Sequence, residues 1–292
     1  MKTEYLFVII SGIFAGTIVF GGKVFANMGL SLYQLSVIPE LFIFLLLPLL
    51  LFRKECQLKK EMLKTYFIFG IISATILLSQ YIPIMLGVPV AMVVLLLYTQ
   101  PLWTVILGHF FLKEKITRRS IAAVVLVLLG VVALVNPSST GSINPIGLFF
   151  AFLAGLGLSG WVLFGRICGK KGYHPVTTLV VYTFFTLIFI ALSYPIATTL
   201  TQDPTIINFS LDFPLEVWFY LFIFALLARI VTHLAYFKGA QKVPASKSGV
   251  ILLLEPLVGA LLAYFFLFEP LTPNILVGGA LILIANYLVI KE

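Results

Sequence analysis

The sequence predicts an all-α polytopic membrane protein with ten transmembrane helices, arranged as two inverted five-helix repeats. Hydrophobic residues make up 61% of the 292 residues and charged residues only 10%, with a mean hydropathy of +1.13. Soluble domains contain roughly 45–50% apolar and about 25% charged residues. The composition therefore excludes a soluble globular protein and indicates a chain surrounded by lipid.

Ten apolar segments, separated by charged residues, prolines and short polar turns, account for nearly the whole chain. A helix needs about 20 mostly apolar residues to cross the hydrocarbon core of a bilayer. Candidate spans lie at 4–22, 31–52, 66–86, 89–112, 120–136, 145–165, 175–200, 214–237, 246–268 and 273–290. Because the longest connection is 201–213, we expect no separate soluble domain.

The positions of the basic residues predict the orientation of the chain. Cytoplasmic loops of membrane proteins carry an excess of Lys and Arg. With a cytoplasmic N-terminus, 17 of the 19 basic residues lie on the inner side, and only Lys23 (outside) and Arg229 (within a span) do not. The net charge of +8 is then a topology signal, not a sign of nucleic-acid binding. We expect a multi-pass protein of the cytoplasmic membrane with both termini in the cytoplasm, where Cys56 and Cys168 stay reduced.

An internal repeat divides the chain into a first half at 1–140 and a second half at 141–292. A shift of 155 residues aligns 88–117 with 243–272 without a gap, and 11 of those 30 positions are identical. A shift of 143 aligns Gly12, Gly22 and Gly29 with glycines of the second half. The fourth and ninth spans are repeat partners five spans apart, so one copy must cross the membrane in the opposite direction. Inverted repeats of this kind are typical of secondary transporters, with a substrate site near the midplane.

Motifs in both halves resemble the ten-helix EamA-type branch of the drug/metabolite transporter superfamily. They are Leu-Glu-Pro-Leu-Val-Gly-Ala-Leu-Leu at 254–262, Phe-Leu-Phe-Glu-Pro-Leu-Thr at 266–272, and a degenerate first copy from Tyr-Thr-Gln-Pro-Leu at 98–102 to Gly130. Trp161 lies near the place where the family often has a tryptophan. The resemblance implies transport but leaves the substrate open, since members carry amino acids, purines, choline-like cations, nucleotide-linked metabolites and drugs. The chain departs from the family where members commonly carry an arginine in the second span, and here 38–41 reads Ile-Pro-Glu-Leu.

Charged side chains within the predicted spans are the strongest candidates for a functional site, because a charge at bilayer depth costs at least about 2.5–3.5 kcal/mol. Glu40, Arg229 and Glu255 are the residues concerned. Arg229 and Glu255 lie at similar depths on neighbouring spans and are expected to pair, as a structural link or as part of the site. Glu40 has no evident partner. Its side chain is therefore either a protonated carboxyl group or a carboxylate that binds a proton or a cation.

Further candidates lie near these charges or at positions marked by the repeat. His233 and Tyr236 follow Arg229 on one helical face. His233 is either a proton-exchanging group or a histidine bonded to a nearby carbonyl, and aromatic faces can bind a cationic group. The remaining candidates for the lining are Tyr98, Gln100, Trp161, Gln80, Tyr81, Trp103 and His109.

The leading hypothesis is a secondary active transporter that moves a small polar metabolite, such as an amino acid or amine, by alternating access. Glu40, Glu255 and Arg229 sum to a formal −1, which favours a zwitterion or a cation over an anion. A proton is the candidate coupling ion, and the alternative is a flippase for a lipid carrier or lipid-linked metabolite. Expected partners are the small-molecule substrate and membrane lipid, in a monomer or homodimer. Motifs of hydrolases and metalloenzymes do not occur, so we expect no enzyme activity, metal or cofactor.

Overall fold

The computed structural model describes residues 3–79, 82–86, 88, 90–135, 144–268 and 272–291. Within these ranges the chain is helical and contains no strand. The principal helices are α1 (Thr3–Asn27), α2 (Leu32–Phe52), α3 (Lys60–Ser79), α4 (Met92–Leu112), α5 (Arg118–Val135), α6 (Pro145–Lys170), α7 (Pro175–Leu200), α8 (Leu215–Ala240), α9 (Ala245–Leu267) and α10 (Pro273–Ile290). Short helical segments lie at Lys54–Cys56, Ile82–Met85 and Pro204–Ile207.

Nine of these helices, all except α5, are long and apolar enough to cross a membrane in the described part of the chain. The prediction of an all-helical polytopic membrane protein is therefore confirmed. The predicted span 120–136 corresponds to α5, but its last residue lies outside the described ranges. The count of ten spans stays a prediction, as does the opposite orientation of the two halves.

The helix boundaries differ from the predicted spans mainly where basic residues border an apolar segment. α3 begins at Lys60 instead of residue 66 and ends at Ser79, before the separate short helix Ile82–Met85. Treating lysines as boundaries shortened the prediction, because a lysine can lie in the first turn and extend its ammonium group to the headgroup region. Cys56 and Cys168 are free and buried.

Irregular segments interrupt four of the helices. α2 changes from an α-helix at Leu32–Leu41 to a 3₁₀ helix at Phe42–Leu46, and α8 contains a π-helical segment at Ala225–Val231. α4 and α9 are each broken by a turn, at 98–99 and at 252–253. In both cases a proline follows in the first turn of the next helical segment, where its missing N–H costs nothing.

The two halves are interlocked. α1 packs against α8 and α9, and α6 packs against α3 and α4, while α5 lies along α10. The sequence offsets pair α1 with α6, and α3 and α4 with α8 and α9. The first helix of each half therefore packs against the third and fourth helices of the other half. The segments 1–140 and 141–292 consequently share one packed interior.

Residues with a left-handed backbone conformation are separated by the same two sequence offsets, 155 and 143. Lys113 and Phe268, which are 155 residues apart, both have φ near 55° and end the helical segments before them. Gly29 and Gly172, which are 143 residues apart, have φ of 83° and 71°. A left-handed conformation is unfavourable for residues other than glycine, so its occurrence at equivalent non-glycine positions follows the predicted repeat.

The connection between α7 and α8 holds the N-terminal end of α2. The Gln34 amide donates to the Ser210 carbonyl at 2.7 Å, and the Ser31 hydroxyl donates to the Asn208 carbonyl. Ser31 also caps α2, since its side chain accepts from the backbone N–H of Gln34. These contacts fix the segment of α2 that carries Glu40.

Close helix contact at Gly155 predicts a measurable loss of stability on adding one methyl group. A Cβ at Gly155 on α6 would lie 2.4 Å from the Leu96 carbonyl oxygen of α4. Because backbone must move to relieve this clash, Gly155→Ala should destabilise the protein by about 1–3 kcal/mol. Thermal unfolding of purified protein in detergent measures the change.

Gly22→Ala is the matched control, because a Cβ at Gly22 meets no atom within 4 Å. In a helix this exchange should be neutral or stabilising. Equal melting temperatures for the two variants would contradict the close packing of α6 against α4.

Candidate functional site

Two helix irregularities meet where α2 and α8 carry their charged residues. Glu40 follows Pro39 and lies directly before the 3₁₀ segment of α2, and Arg229 lies within the π-helical segment of α8. π-helical segments are frequent at functional sites, because they turn side chains away from the regular helical register. The local structure of both helices therefore departs from regularity at the residues with intramembrane charge.

Glu40 and Arg229 form a buried ion pair. Arg229 Nε lies 3.2 Å from Glu40 Oε1, and the two side chains are 12% and 5% exposed. The sequence left Glu40 without a partner and paired Arg229 with Glu255. That expectation is corrected here, because similar depth alone does not show which helix face carries a side chain. Arg229 still acts electrostatically on Glu255, so one guanidinium serves two carboxyl groups.

The ion pair does not use the full hydrogen-bonding capacity of Arg229. Its buried Nε has no hydrogen-bond partner in the described part of the chain, although it lies close to Glu40. A guanidinium has five N–H donors in a planar fork that suits a carboxylate or phosphate. The contact therefore balances charge without a hydrogen bond from Nε.

α7 contributes two polar residues that sequence reasoning did not select. Tyr182 and Thr183 are buried, at 2% and 0% exposure, and both face Glu40. Threonine and tyrosine are common in membrane helices, so one sequence does not distinguish these positions from others on α7. Only the packing of α7 beside α2 shows their relation to the ion pair.

An aromatic cluster borders the ion pair and contains three of the predicted site residues. Trp161 of α6 stacks on Tyr236 with ring centroids 4.8 Å apart, and its ring centroid lies 5.1 Å from that of His233. Trp161, His233 and Tyr236 are 8%, 7% and 0% exposed. The cluster is completed by Phe69, Tyr182 and Phe237. α8 thus places its cation and its aromatic rings at one site.

A second polar group lies where the broken helices α4 and α9 meet. The Tyr98 hydroxyl interacts with the Glu255 carboxyl; Tyr98 lies in the turn that interrupts α4, and Glu255 lies in the first turn after the interruption of α9. Gln100 donates to the Thr104 hydroxyl at 2.6 Å, and this hydroxyl lies 3.1 Å from that of Ser159. The structure therefore places Tyr98 with Glu255, and Gln100 with α6.

The other lining candidates lie elsewhere or beyond the described ranges. His109 is exposed and bonds through Nδ1 to the Glu114 carbonyl, and Trp103 donates to the Thr99 hydroxyl. Gln80 and Tyr81 lie outside the described residues. Among the described residues, no group of three or more His, Cys, Asp or Glu side chains is placed to hold a metal ion.

The fold and the site define a class of protein, namely a multi-pass membrane protein with charged side chains buried among its spans. The model of the EamA-like transporter family matches residues 2–136 and 145–291. The chain belongs to this family, within the drug/metabolite transporter superfamily. The protein is therefore a transporter.

Curated relatives have the same description. An uncharacterized transporter of Clostridium kluyveri is 26% identical over 303 residues, covering 98% of this chain and 92% of that protein. An uncharacterized transporter of Archaeoglobus fulgidus is 25% identical and covers 66% of this chain and 64% of its own length. The uncharacterized transporter YetK of Bacillus subtilis is 28% identical, with coverage of 59% and 51%.

A solved protein crystal structure superposes on nearly the whole chain. It has a TM-score of 0.77 at 14% sequence identity and covers 99% of this chain and 96% of its own. At this identity the likeness shows the fold alone.

The buried ion pair predicts strong non-additivity between substitutions of its two members. Glu40→Gln removes the ion-pair partner of Arg229, and Arg229→Gln leaves Glu40 without a cation; breaking a buried ion pair on one side costs about 3–5 kcal/mol. The double variant removes both charges, so its destabilisation should be clearly smaller than the sum of the single effects. Unfolding of the purified variants in detergent measures the coupling energy.

Asp212→Asn provides the control for this cycle, because Asp212 is an exposed acid and its substitution should change the stability little. Additive losses in the cycle would show that Glu40 and Arg229 do not interact.

Proposed function

We propose that the protein is a secondary active transporter that moves a small polar metabolite across the cytoplasmic membrane by alternating access. The substrate belongs to the amino acids, amines or related compounds, and both termini lie in the cytoplasm. The observation that carries the proposal is the buried Glu40–Arg229 pair at the irregular segments of α2 and α8. A charge pair inside a membrane protein marks a substrate or ion pathway by default.

The chemistry of the pair fits a substrate with a positive group and a polar or negative one. Arg229 has donors to offer a carboxylate, and Glu40 can accept from an ammonium group. Such a ligand would replace the contact between the two side chains without leaving a charge unbalanced. The stacked rings of Trp161 and Tyr236 adjoin His233, which follows Arg229 by four residues on α8, and aromatic faces suit the apolar part or a cationic group of such a ligand.

Glu255 makes a proton the favoured coupling ion. Glu40, Glu255 and Arg229 leave one negative charge in excess if both acids are ionised, and burial of an uncompensated carboxylate is costly. A proton or the cationic group of the substrate removes that cost. Glu255 interacts with Tyr98, which lies at the break of α4. A change in the charge of Glu255 therefore acts at a point where two broken helices meet.

Alternating access is supported by the arrangement of the helices. α1 packs with α8 and α9, whereas α6 packs with α3 and α4. Two such groups can rock against each other around a central site, opening one side while closing the other. The broken helices α4 and α9 belong to different groups, and each carries a turn at which it can bend.

Replacing the guanidinium by an ammonium group tests the role of Arg229 without removing its charge. Arg229→Lys should keep the ion pair with Glu40 but lose the planar fork, so that substrate affinity falls about tenfold or more. Glu40→Asp should weaken substrate binding, because the aspartate side chain is one methylene group shorter. A ligand-stabilisation screen of amino acids, quaternary amines and nucleobases identifies the substrate, and uptake into proteoliposomes under imposed pH gradients measures transport.

Arg53→Lys, the same exchange at an exposed position, is the control and should leave uptake unchanged. Wild-type affinity in both site variants would show that the substrate does not meet this pair. A wild-type protein that takes up none of these compounds under any gradient would contradict the transport proposal itself.

A further inference from the structure

We propose that Glu114 is a latch that holds the predicted cytoplasmic end of the pathway closed and must release α9 before this end opens. The proposal rests on the proposed alternating access, and assigns a gating role to a residue outside the substrate site. Glu114 follows α4 in the first half, and its carboxylate reaches the start of α9 in the second half.

The carboxylate of Glu114 makes several polar contacts with the second half. Oε1 accepts from the backbone N–H of Ala245 at 2.8 Å, and Oε2 accepts from the N–H and hydroxyl of Ser246 at 3.0 and 2.9 Å. Arg166 of α6 lies nearby, with Nε 3.7 Å from Oε1. We call these contacts the Glu114 latch. An acid at the N-terminal end of a helix satisfies free amides and interacts favourably with the helix dipole.

The backbone before Glu114 is shaped to reach α9. Lys113 has the left-handed conformation, with φ 55°, and the N–H groups of Lys113 and Glu114 both donate to the Gly108 carbonyl. A Cβ at residue 108 would lie 3.1 Å from Glu114 Oε2, so a glycine there leaves room for the carboxylate. An unfavourable conformation at a non-glycine residue persists only where the surrounding contacts maintain it.

The latch joins the two helix groups that alternating access has to separate. α4 packs with α6, and α9 packs with α1. The Glu114 contacts with Ala245 and Ser246 break if the ends of α4 and α9 move apart. By contrast, the Lys242–Glu4 ion pair connects α1 with the end of α8, two helices of the same group. That pair can persist during opening, whereas the Glu114 latch cannot.

The latch also adjoins the aromatic cluster of the candidate site. Arg166 follows Gly165, where a Cβ would lie only 2.4 Å from the Tyr236 ring. Tyr236 in turn stacks on Trp161, and Glu114 and Arg166 both act electrostatically on its hydroxyl. Movement of the aromatic cluster on substrate binding therefore acts on residues next to the latch.

Distances between spin labels on the two helix groups test the latch directly. Labels at Thr3→Cys on α1 and Lys115→Cys after α4 occupy exposed positions, one in each helix group. The native Cys56 and Cys168 are buried, and burial also raises the pKa of the Cys56 thiol, which slows its labelling. Samples without the introduced cysteines measure any background. Pulsed electron paramagnetic resonance then gives the populations of short and long distances.

In Glu114→Gln, the ratio of long to short distances should rise about tenfold, which corresponds to about 1.4 kcal/mol. The amide has nearly the shape of the carboxylate but lacks its charge and presents N–H groups to the amides of α9. Ser246→Ala removes a single contact and should shift the ratio in the same direction by a smaller factor. Glu61→Gln makes the same chemical exchange at an exposed residue in the first turn of α3 and should leave the ratio unchanged.

Unchanged distances in folded Glu114→Gln, or a shift in Glu61→Gln of equal size, would overturn the proposal. If Glu114→Gln does not fold, an unchanged distribution in Ser246→Ala would overturn it instead. The measurement needs no substrate. If no transport is found, the distance measurement can still be interpreted. If the distances contradict the Glu114 latch, the transport assay is unaffected.

Discussion

The ion pair between Glu40 and Arg229 constrains much of the interior of this protein. Both side chains are buried, so burial of either charge is costly unless the other side chain balances it. This requirement brings α2 beside α8 at the points where both helices are irregular. The aromatic rings of α6, α7 and α8 pack around the same place, and Tyr182 and Thr183 face the carboxyl group. Charge pairing, aromatic packing and helix irregularity are therefore concentrated in one region.

The interlocked halves explain how a change at this site can reach the ends of the helices. α1 and α6 each pack against helices of the opposite half, so neither half can move as a free body. Under the proposed alternating access, relative movement would occur at the surface between the two helix groups, which includes the contact of α4 with α9. The turns at 98–99 and 252–253 interrupt both helices at that surface. At one end of this surface, Glu114 binds the start of α9. At the centre of the surface, Glu255 meets Tyr98.

The fold was largely predictable, whereas the pairing of side chains was not. Long apolar segments predict membrane helices because lipid leaves backbone groups no partner outside the helix. The residues aligned by the offset of 155 predicted equivalent positions, and Lys113 and Phe268 share their backbone conformation accordingly. Residue spacing, however, shows no partner for Glu40, which the structure pairs with Arg229. Rotation of a helix about its axis, changed further by a 3₁₀ or π segment, decides such contacts, and residue spacing does not specify it.

By itself, the sequence determined that lipid surrounds the protein, that its fold is helical, and which charged residues are candidates for a functional site. These properties follow from composition and local spacing, because transfer of each residue into lipid depends on its own chemistry. The tertiary structure alone decided that Arg229 balances Glu40, that Tyr182 and Thr183 join them, and that Glu114 binds the start of α9. Each of these contacts joins residues far apart in the chain. Their proximity depends on how whole helices pack and bend, which only the folded structure fixes.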